Sequence, residues 1–305
     1  MRTVFRVLVL LCAAATLAAF HAHAQTGGRG MLGYGYGLGG EATGLSFSGI
    51  DPSGVRSPGP GEGGTLQSQE WRAFALVPVY GRGTDTVWSA GLSAQQLSLH
   101  FAGFAPALSP VLISELYGVA LDGSVMHRVD GDHSWLAYVA AGRFSDQWPP
   151  DGQGRTAAGG IYQWRASPTT ILGAGAGFTY VFGEPRAVPI LALAFREGPW
   201  SADVRFPFRA DVRYAINEWV RVGAETFVQG GEFSVTKETA VDTVQYTSQL
   251  AAALLTIGRP GRLQFQLDTG IAVYRHYTAL DNGNTVESLG FKDAPFYRAG
   301  LAWRW

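Results

Sequence analysis

Apolar and polar residues alternate with a period of two along most of this chain, and no long segment repeats every 3.6 residues. In 262–273, Leu263, Phe265, Leu267, Ile271 and Val273 share one face, while Gln264, Gln266, Asp268 and Gly270 occupy the other. In 208–214, Phe208, Ala210, Val212 and Tyr214 oppose Arg209, Asp211 and Arg213; in 219–225, Val220, Val222 and Ala224 oppose Arg221 and Glu225. In 170–180, Leu172, Ala174, Ala176, Phe178 and Tyr180 oppose Gly173, Gly175, Gly177 and Thr179, and Trp71 to Val79 set an apolar row against Glu70 and Arg72. Strands apolar on one side and polar on the other suit a barrel wall between lipid and a wet interior.

The pattern predicts strands at 69–80, 86–98, 114–127, 134–144, 157–166, 170–182, 189–196, 200–206, 208–215, 218–233, 244–257, 262–277 and 293–305, separated by Gly, Pro, Asn and Asp turns. Thirteen is odd, whereas bacterial single-chain barrels are normally even. Counting back from Trp305 at the periplasmic rim, the longer connections 99–113, 145–156, 234–243 and 278–292 fall outside, with the short turns inside. Segment 49–65 is then also outside, which requires a first strand within 30–48, drawn from Met31 to Phe47. The expected fold is all-β: a closed antiparallel transmembrane barrel of 12–14 strands. Fourteen is favoured, and twelve results if Phe206-Pro207-Phe208 bends one strand and the glycine-rich start is a tail. Trp71, Trp88, Trp135, Trp200, Trp219, Tyr277, Trp303 and Trp305 are placed in interfacial girdles.

The front of the chain agrees. Arg2 and Arg6 flank the apolar run Val7 to Ala19, followed by Ala22-His23-Ala24, so 1–24 reads as a cleaved signal peptide. A glycine-rich segment 25–65 and the barrel 66–305 follow. Cleavage removes Cys12, the only cysteine, and with it any disulfide or thiolate site. Composition changes the picture little: 41 glycines, 12% aromatic, 15% charged, net charge −1. A near-neutral chain offers no electrostatic case for nucleic acid.

The last residues, Arg298-Ala299-Gly300-Leu301-Ala302-Trp303-Arg304-Trp305, resemble the polar-x-Gly-x-x-aromatic-x-aromatic ending of Gram-negative outer-membrane proteins. Gly300, Trp303 and Trp305 are the expected assembly signal, read by the barrel-assembly machinery, and the expected location is the outer membrane, among its lipid and lipopolysaccharide. Between Pro189 and Phe233 lie Pro189-Ile190-Leu191, Gly198-Pro199-Trp200, Val204-Arg205-Phe206-Pro207, Val212-Arg213-Tyr214 and Gly230-Gly231-Glu232-Phe233. This stretch resembles a family of uncharacterised bacterial outer-membrane β-barrel proteins carrying a domain of unknown function. The resemblance implies an envelope protein and carries over no catalytic residue.

Within the lumen, Arg72, Arg205, Arg209, Arg213, Arg221, Arg298 and Arg304 are expected beside Glu70, Asp203, Asp211, Glu225 and Asp268. Two readings stay open: a constriction that attracts anionic solutes, or a ladder of cross-strand ion pairs that stiffens a closed barrel. Chemistry-bearing motifs are scarce. Asp132-His133-Ser134 are chain neighbours in a turn and cannot form a relay, whose members converge from separate segments. His100, His127 and His276 lie on different segments without zinc-ligand spacing. The glycine match at Gly35–Gly40 lacks the flanking elements of a dinucleotide site, Gly59–Gly64 lacks a lysine, and Asp281-Asn282-Gly283-Asn284 reads as a turn. The sequence therefore predicts no metal, no cofactor and no enzyme. It predicts a monomeric or trimeric porin-like or selective passive channel for small solutes. A closed barrel presenting loops 99–113, 145–156 and 278–292 for interaction or adhesion is second, and a lipid-modifying enzyme third.

Overall fold

Wherever the alternation runs unbroken the chain is a strand, and the strands join into one sheet that closes on itself. The computed structural model describes residues 43–56, 63–80, 85–236 and 239–303. Residues 1–24, expected to be a signal peptide, most of the glycine-rich segment, Arg304 and Trp305 lie outside the described residues. Strands are β1 (Thr43–Gly54), β2 (Thr65–Tyr80), β3 (Thr86–Ala102), β4 (Glu115–Arg128), β5 (His133–Ser145), β6 (Gly154–Ser167), β7 (Thr170–Thr179) and β8 (Arg186–Glu197). They continue as β9 (Trp200–Phe206), β10 (Arg209–Ala215), β11 (Val220–Ser234), β12 (Thr243–Ile257), β13 (Leu263–Asp281), β14 (Asn284–Phe291) and β15 (Ala294–Trp303).

Sequential antiparallel pairing runs from β1 to β13, and β15 closes the ring. It pairs with β13 from Leu263↔Trp303 to Ala272↔Ala294 and with β1 from Thr43↔Trp303 to Ile50↔Phe296. β14 continues the same line along upper β13, from Arg275↔Phe291, and bridges Val55 beyond β1. β14 and β15 are thus two segments of one wall strand, broken at Lys292-Asp293, and the wall has fourteen strands. The first described strand is 43–54, which overlaps the expected 31–47 at 43–47 and runs on beyond it; 31–42 lie outside the described residues. The segment 278–292 is a hairpin rather than a loop, and Asn282 and Gly283 supply its turn at φ 51° and 78°. Positive φ at both central residues gives the hairpin twist that matches flanking strands, which is why Asn-Gly sits there.

Phe206-Pro207-Phe208 separates two strands of only seven residues each, β9 and β10. Their hairpin stops partway up the wall. Residues 186–190 of β8 and 229–234 of β11 rise past it without a ladder partner from it. The β7–β8 loop fills this notch: Thr247 Oγ1 donates to the Val181 carbonyl at 3.3 Å, and Phe182 stacks on Phe208 at 5.8 Å. Higher still, Ser234 of β11 meets Ser145 of β5, which narrows the long-loop end.

The outer surface carries Leu121, Leu191, Leu263 and Leu301 exposed at 68, 58, 56 and 45%. Water would make such a continuous apolar belt unfavourable; hydrocarbon would not. Trp88, Trp135, Trp200 and Trp219 ring the short-turn end, exposed. Three residues expected outside turn inward. Phe208 packs with Ile161, Ile190 and Ala192, and Tyr180 lies over Arg155. Tyr277 is fully buried, because a bulge where Gln249 and Leu250 face Tyr274 and Ala272 reverses the inward parity of β13.

The lumen and its three zones

The interior divides into a plug, an ion-pair network and a chamber. The plug occupies the long-loop end. Here the inward positions of the walls become apolar: Leu97 and Leu99 on β3, Leu116 on β4, Phe233 on β11, Tyr246 on β12 and Tyr277 on β13. The β3–β4 loop folds down onto them with a short 3₁₀ turn (Pro106–Val111), burying Val111 and Ile113. Tyr277 fastens it, donating to the Val111 carbonyl at 2.5 Å and accepting from the Ile113 amide at 3.0 Å. Beside the plug, the fully buried Arg275 donates to Ser53 Oγ and the Leu66 carbonyl at 2.8 and 3.0 Å. A wet interior at this end was the expectation; the structure has an apolar core there instead.

The network brings six of the twelve predicted lumen residues together. Arg298 on β15 pairs with Asp268 on β13 and with Glu225 on β11. Glu225 also takes Arg209 at 2.8 Å, Arg209 takes Asp211 at 3.3 Å, and Asp211 takes Arg213 at 2.8 Å. Three arginines thus meet three carboxylates. The side chains of Glu225 and Asp268 are 0% exposed, and Phe227 stacks under the Arg298 guanidinium at 4.4 Å. Register explains the need for this cross-linking. Arg205 lies opposite Arg209 and Asp203 opposite Asp211 across the β9–β10 hairpin, so each like-charge pair requires compensation from elsewhere. Arg205 finds it in Asp203 at 3.2 Å.

The remaining predicted residues lie apart from that network. Arg72 pairs with Glu70 at 2.5 Å on β2, and Arg221 donates to the Gly258 carbonyl at the short-turn end at 3.3 Å. Of the assembly-signal residues, Gly300 and Trp303 lie on β15, and Trp305 is outside the described residues. In the turn, His133 Nδ1 lies 2.9 Å from Asp130, whereas Ser134 is buried against Gln163, so the two side chains point to opposite faces. The Asp130 carboxyl is held below the usual carboxylate range, first by the Asp132 amide and then by His133. His127 meets Thr86 and His276 meets Ser288, on separate strands. Among the described residues no group of three or more His, Cys, Asp or Glu could hold a metal ion.

The chamber, partly open to solvent, lies along β2–β6 and against β11. Small side chains make the space: Ala120, Ala140 and Ala157 line it together with Gly118, Gly142 and Gly231. Larger groups bound it: Phe74, Phe144 and Tyr180, with Arg155 paired to Glu232 at 2.8 Å. Asp122 faces the same space. Neither Asp122 nor the Arg155–Glu232 pair figures among the sequence-predicted site residues. A signal for Asp122 exists: it shares inward parity with Gly118 and Ala120, while Leu121 between them is exposed on the outer face. Arg155–Glu232 has none, because it joins β6 to β11 across the notch, a contact that no local pattern encodes.

A family model described as a domain of unknown function, DUF6268, matches residues 79–304. No relative was found among curated proteins. Among solved structures, an outer-membrane channel from Pseudomonas putida F1 is 10% identical, covering 92% of this chain and 99% of its own, with a TM-score of 0.41. The translocator domain of the autotransporter NalP from Neisseria meningitidis is 11% identical, covering 100% and 98%, with a TM-score of 0.39. The NanC porin is 10% identical, covering 86% and 100%, with a TM-score of 0.35.

Proposed function

The chain belongs to the DUF6268 family, whose description assigns no activity, and from its geometry we propose that it spans the outer membrane of a Gram-negative bacterium as a small-solute channel, held shut at its long-loop end. The exposed aliphatic belt supports the membrane setting, since a wall of this kind satisfies its backbone hydrogen bonds internally and presents apolar side chains to lipid. In this reading the long-loop end faces outward among lipopolysaccharide, and the barrel-assembly machinery inserts the chain through β15, with Gly300, Trp303 and Trp305 as its signal.

The observation that carries the channel reading is the chamber lying next to a plug made by a loop. A loop that closes the lumen through a few apolar contacts and one tyrosine can withdraw without disturbing the wall ladder, whereas wall strands cannot. The charge network argues against a general anion pore, since its three arginines are matched by three carboxylates. Small solutes of low charge are the fitting cargo. Purified protein in planar bilayers is expected to conduct little, and deletion of 106–111 to raise the current severalfold. No current above background after that deletion would remove the channel reading.

One observation favours a second reading. Arg213 is only 5% exposed, and the network around it fills its side of the lumen. A barrel closed by such ion pairs would act through its surface loops, and deleting those loops would then abolish its phenotype without any change in permeability. An enzymatic role lacks a convergent set of side chains at the one suggestive motif, Asp132-His133-Ser134.

A further inference from the structure

We propose that the chamber binds a small organic amine with an apolar body, and that Asp122 is its counter-ion. This names the solute class for the channel proposed above and rests on that reading for its physiological meaning. The first observation is a charge balance. Of the charged side chains around the chamber, Arg72 is paired with Glu70 and Arg155 with Glu232, at 2.5 and 2.8 Å. Asp122 belongs to no ion pair among the described residues, and the Ser93 hydroxyl is its hydrogen-bond partner. One negative charge is left facing the space.

Register explains why nothing inside the protein neutralises it. Directly across from Asp122 stand Gly91 on β3 and Ala140 on β5. The diagonal positions hold Ser89 and Ser93 on one side and Tyr138 and Gly142 on the other. The other lumen carboxylates find arginines either across strands or two residues along their own strand, as Glu70, Asp203 and Asp211 do. The two such neighbours of Asp122 on β4 are Ala120 and Ser124, so none of these positions holds a cation. An unpaired carboxylate among alanines and glycines is costly unless a cation comes from outside.

The rest of the lining defines that cation. The walls are mostly apolar, so a hydrated metal ion would lose water without gaining oxygen ligands. An ammonium on an apolar or aromatic body gains a charge-assisted hydrogen bond at Asp122 and packs its body among Ala120, Ala140, Ala157 and Phe74. Both arginines near the space already have carboxylates, which weakens the case for an anion.

The test uses the full processed chain refolded in detergent, with 2-phenylethylamine, 2-phenylethanol and phenylacetate as probes in titration calorimetry. The amine is expected to bind more tightly than the other two. Asp122→Asn is expected to weaken amine binding on the order of ten-fold while leaving 2-phenylethanol unchanged, and Asp122→Glu to retain most of the amine affinity. Heat-modifiable gel migration verifies that each variant is folded. Equal amine affinity in wild type and Asp122→Asn, or preference for phenylacetate, would overturn the proposal. Liposome swelling with the 106–111 deletion variant separates it from the channel reading. Amine binding without permeation through that variant would sink the channel and leave the site, whereas permeation through it with equal amine affinity in wild type and Asp122→Asn would do the reverse.

Discussion

Arg298 on β15 reaches Glu225 on β11, although β13 and β12 stand between their strands in the wall. This contact crosses the interior rather than running along a ladder. Glu225 holds Arg209 with its other oxygen, so one carboxylate joins the closing strand to the β9–β10 hairpin. Both acids of the cluster's centre are screened from water, which makes them hard to replace singly.

Removing the charge of Glu225 should therefore be severe. Glu225→Gln leaves Arg298 and Arg209 each short of a buried partner, and breaking a buried pair in this way costs about 3–5 kcal/mol. Urea unfolding of the refolded barrel, followed by tryptophan fluorescence, would measure it. Adding Arg298→Met should cost less than the sum of the two single changes, because the orphaned guanidinium disappears as well.

Tyr277→Phe should loosen the plug without harming the wall. The change removes one donated and one accepted hydrogen bond to the β3–β4 loop, about 1–3 kcal/mol. Single-channel recordings should show openings rarer in the wild type. Unchanged recordings would mean that the loop is held by its apolar contacts alone.

On the outer face, Leu267→Arg should destabilise the barrel by about 2–4 kcal/mol in lipid, the cost of an arginine near the bilayer midplane. Leu267 is 39% exposed on the outer face, so the same change in a water-soluble protein would cost less. Refolding yield into vesicles across a urea series would separate the two environments.

The Asp130 turn supplies a pH dependence. Its carboxyl titrates below its ordinary value, so the turn's stabilisation is complete above the ordinary carboxylate pKa and is lost as pH falls through the lowered one. A carboxyl ¹³C titration of Asp130 would follow this directly. Asp130→Asn should abolish the acid step and shift the neighbouring His133 ring resonances.

How far the fold could be read in advance depends on parity. From Leu263 to Val273 and from Val220 to Ala224 the alternation assigned lipid and lumen faces as the structure has them. It failed where its phase changes within a strand. On β3, Trp88, Ala90 and Leu92 face out, but farther along Leu97 and Leu99 carry the apolar signal on the inward face. That switch is visible in the residues and marks where lipid gives way to the plug. The β13 bulge is different: nothing local announces it, and it moved Tyr277 from an expected girdle to the centre of the plug. Of the β13–β14 hairpin the sequence pattern reads only the turn at Asp281–Asn284 and takes its flanking strands for loop. The ion pairs were readable as a set of inward charges, though not as a closed circuit, since who meets whom across a lumen depends on curvature.

The abbreviated β9–β10 hairpin bears on the bilayer itself. Seven residues at about 3.4 Å each reach roughly 24 Å untilted and roughly 18 Å at the usual tilt of about 40°, short of the roughly 25 Å apolar band of an outer-membrane barrel. Acyl chains along that flank must compress or splay to cover the step beside Pro207. Each molecule would carry a dimple on one side, and two molecules turned dimple to dimple would distort fewer lipids than two apart.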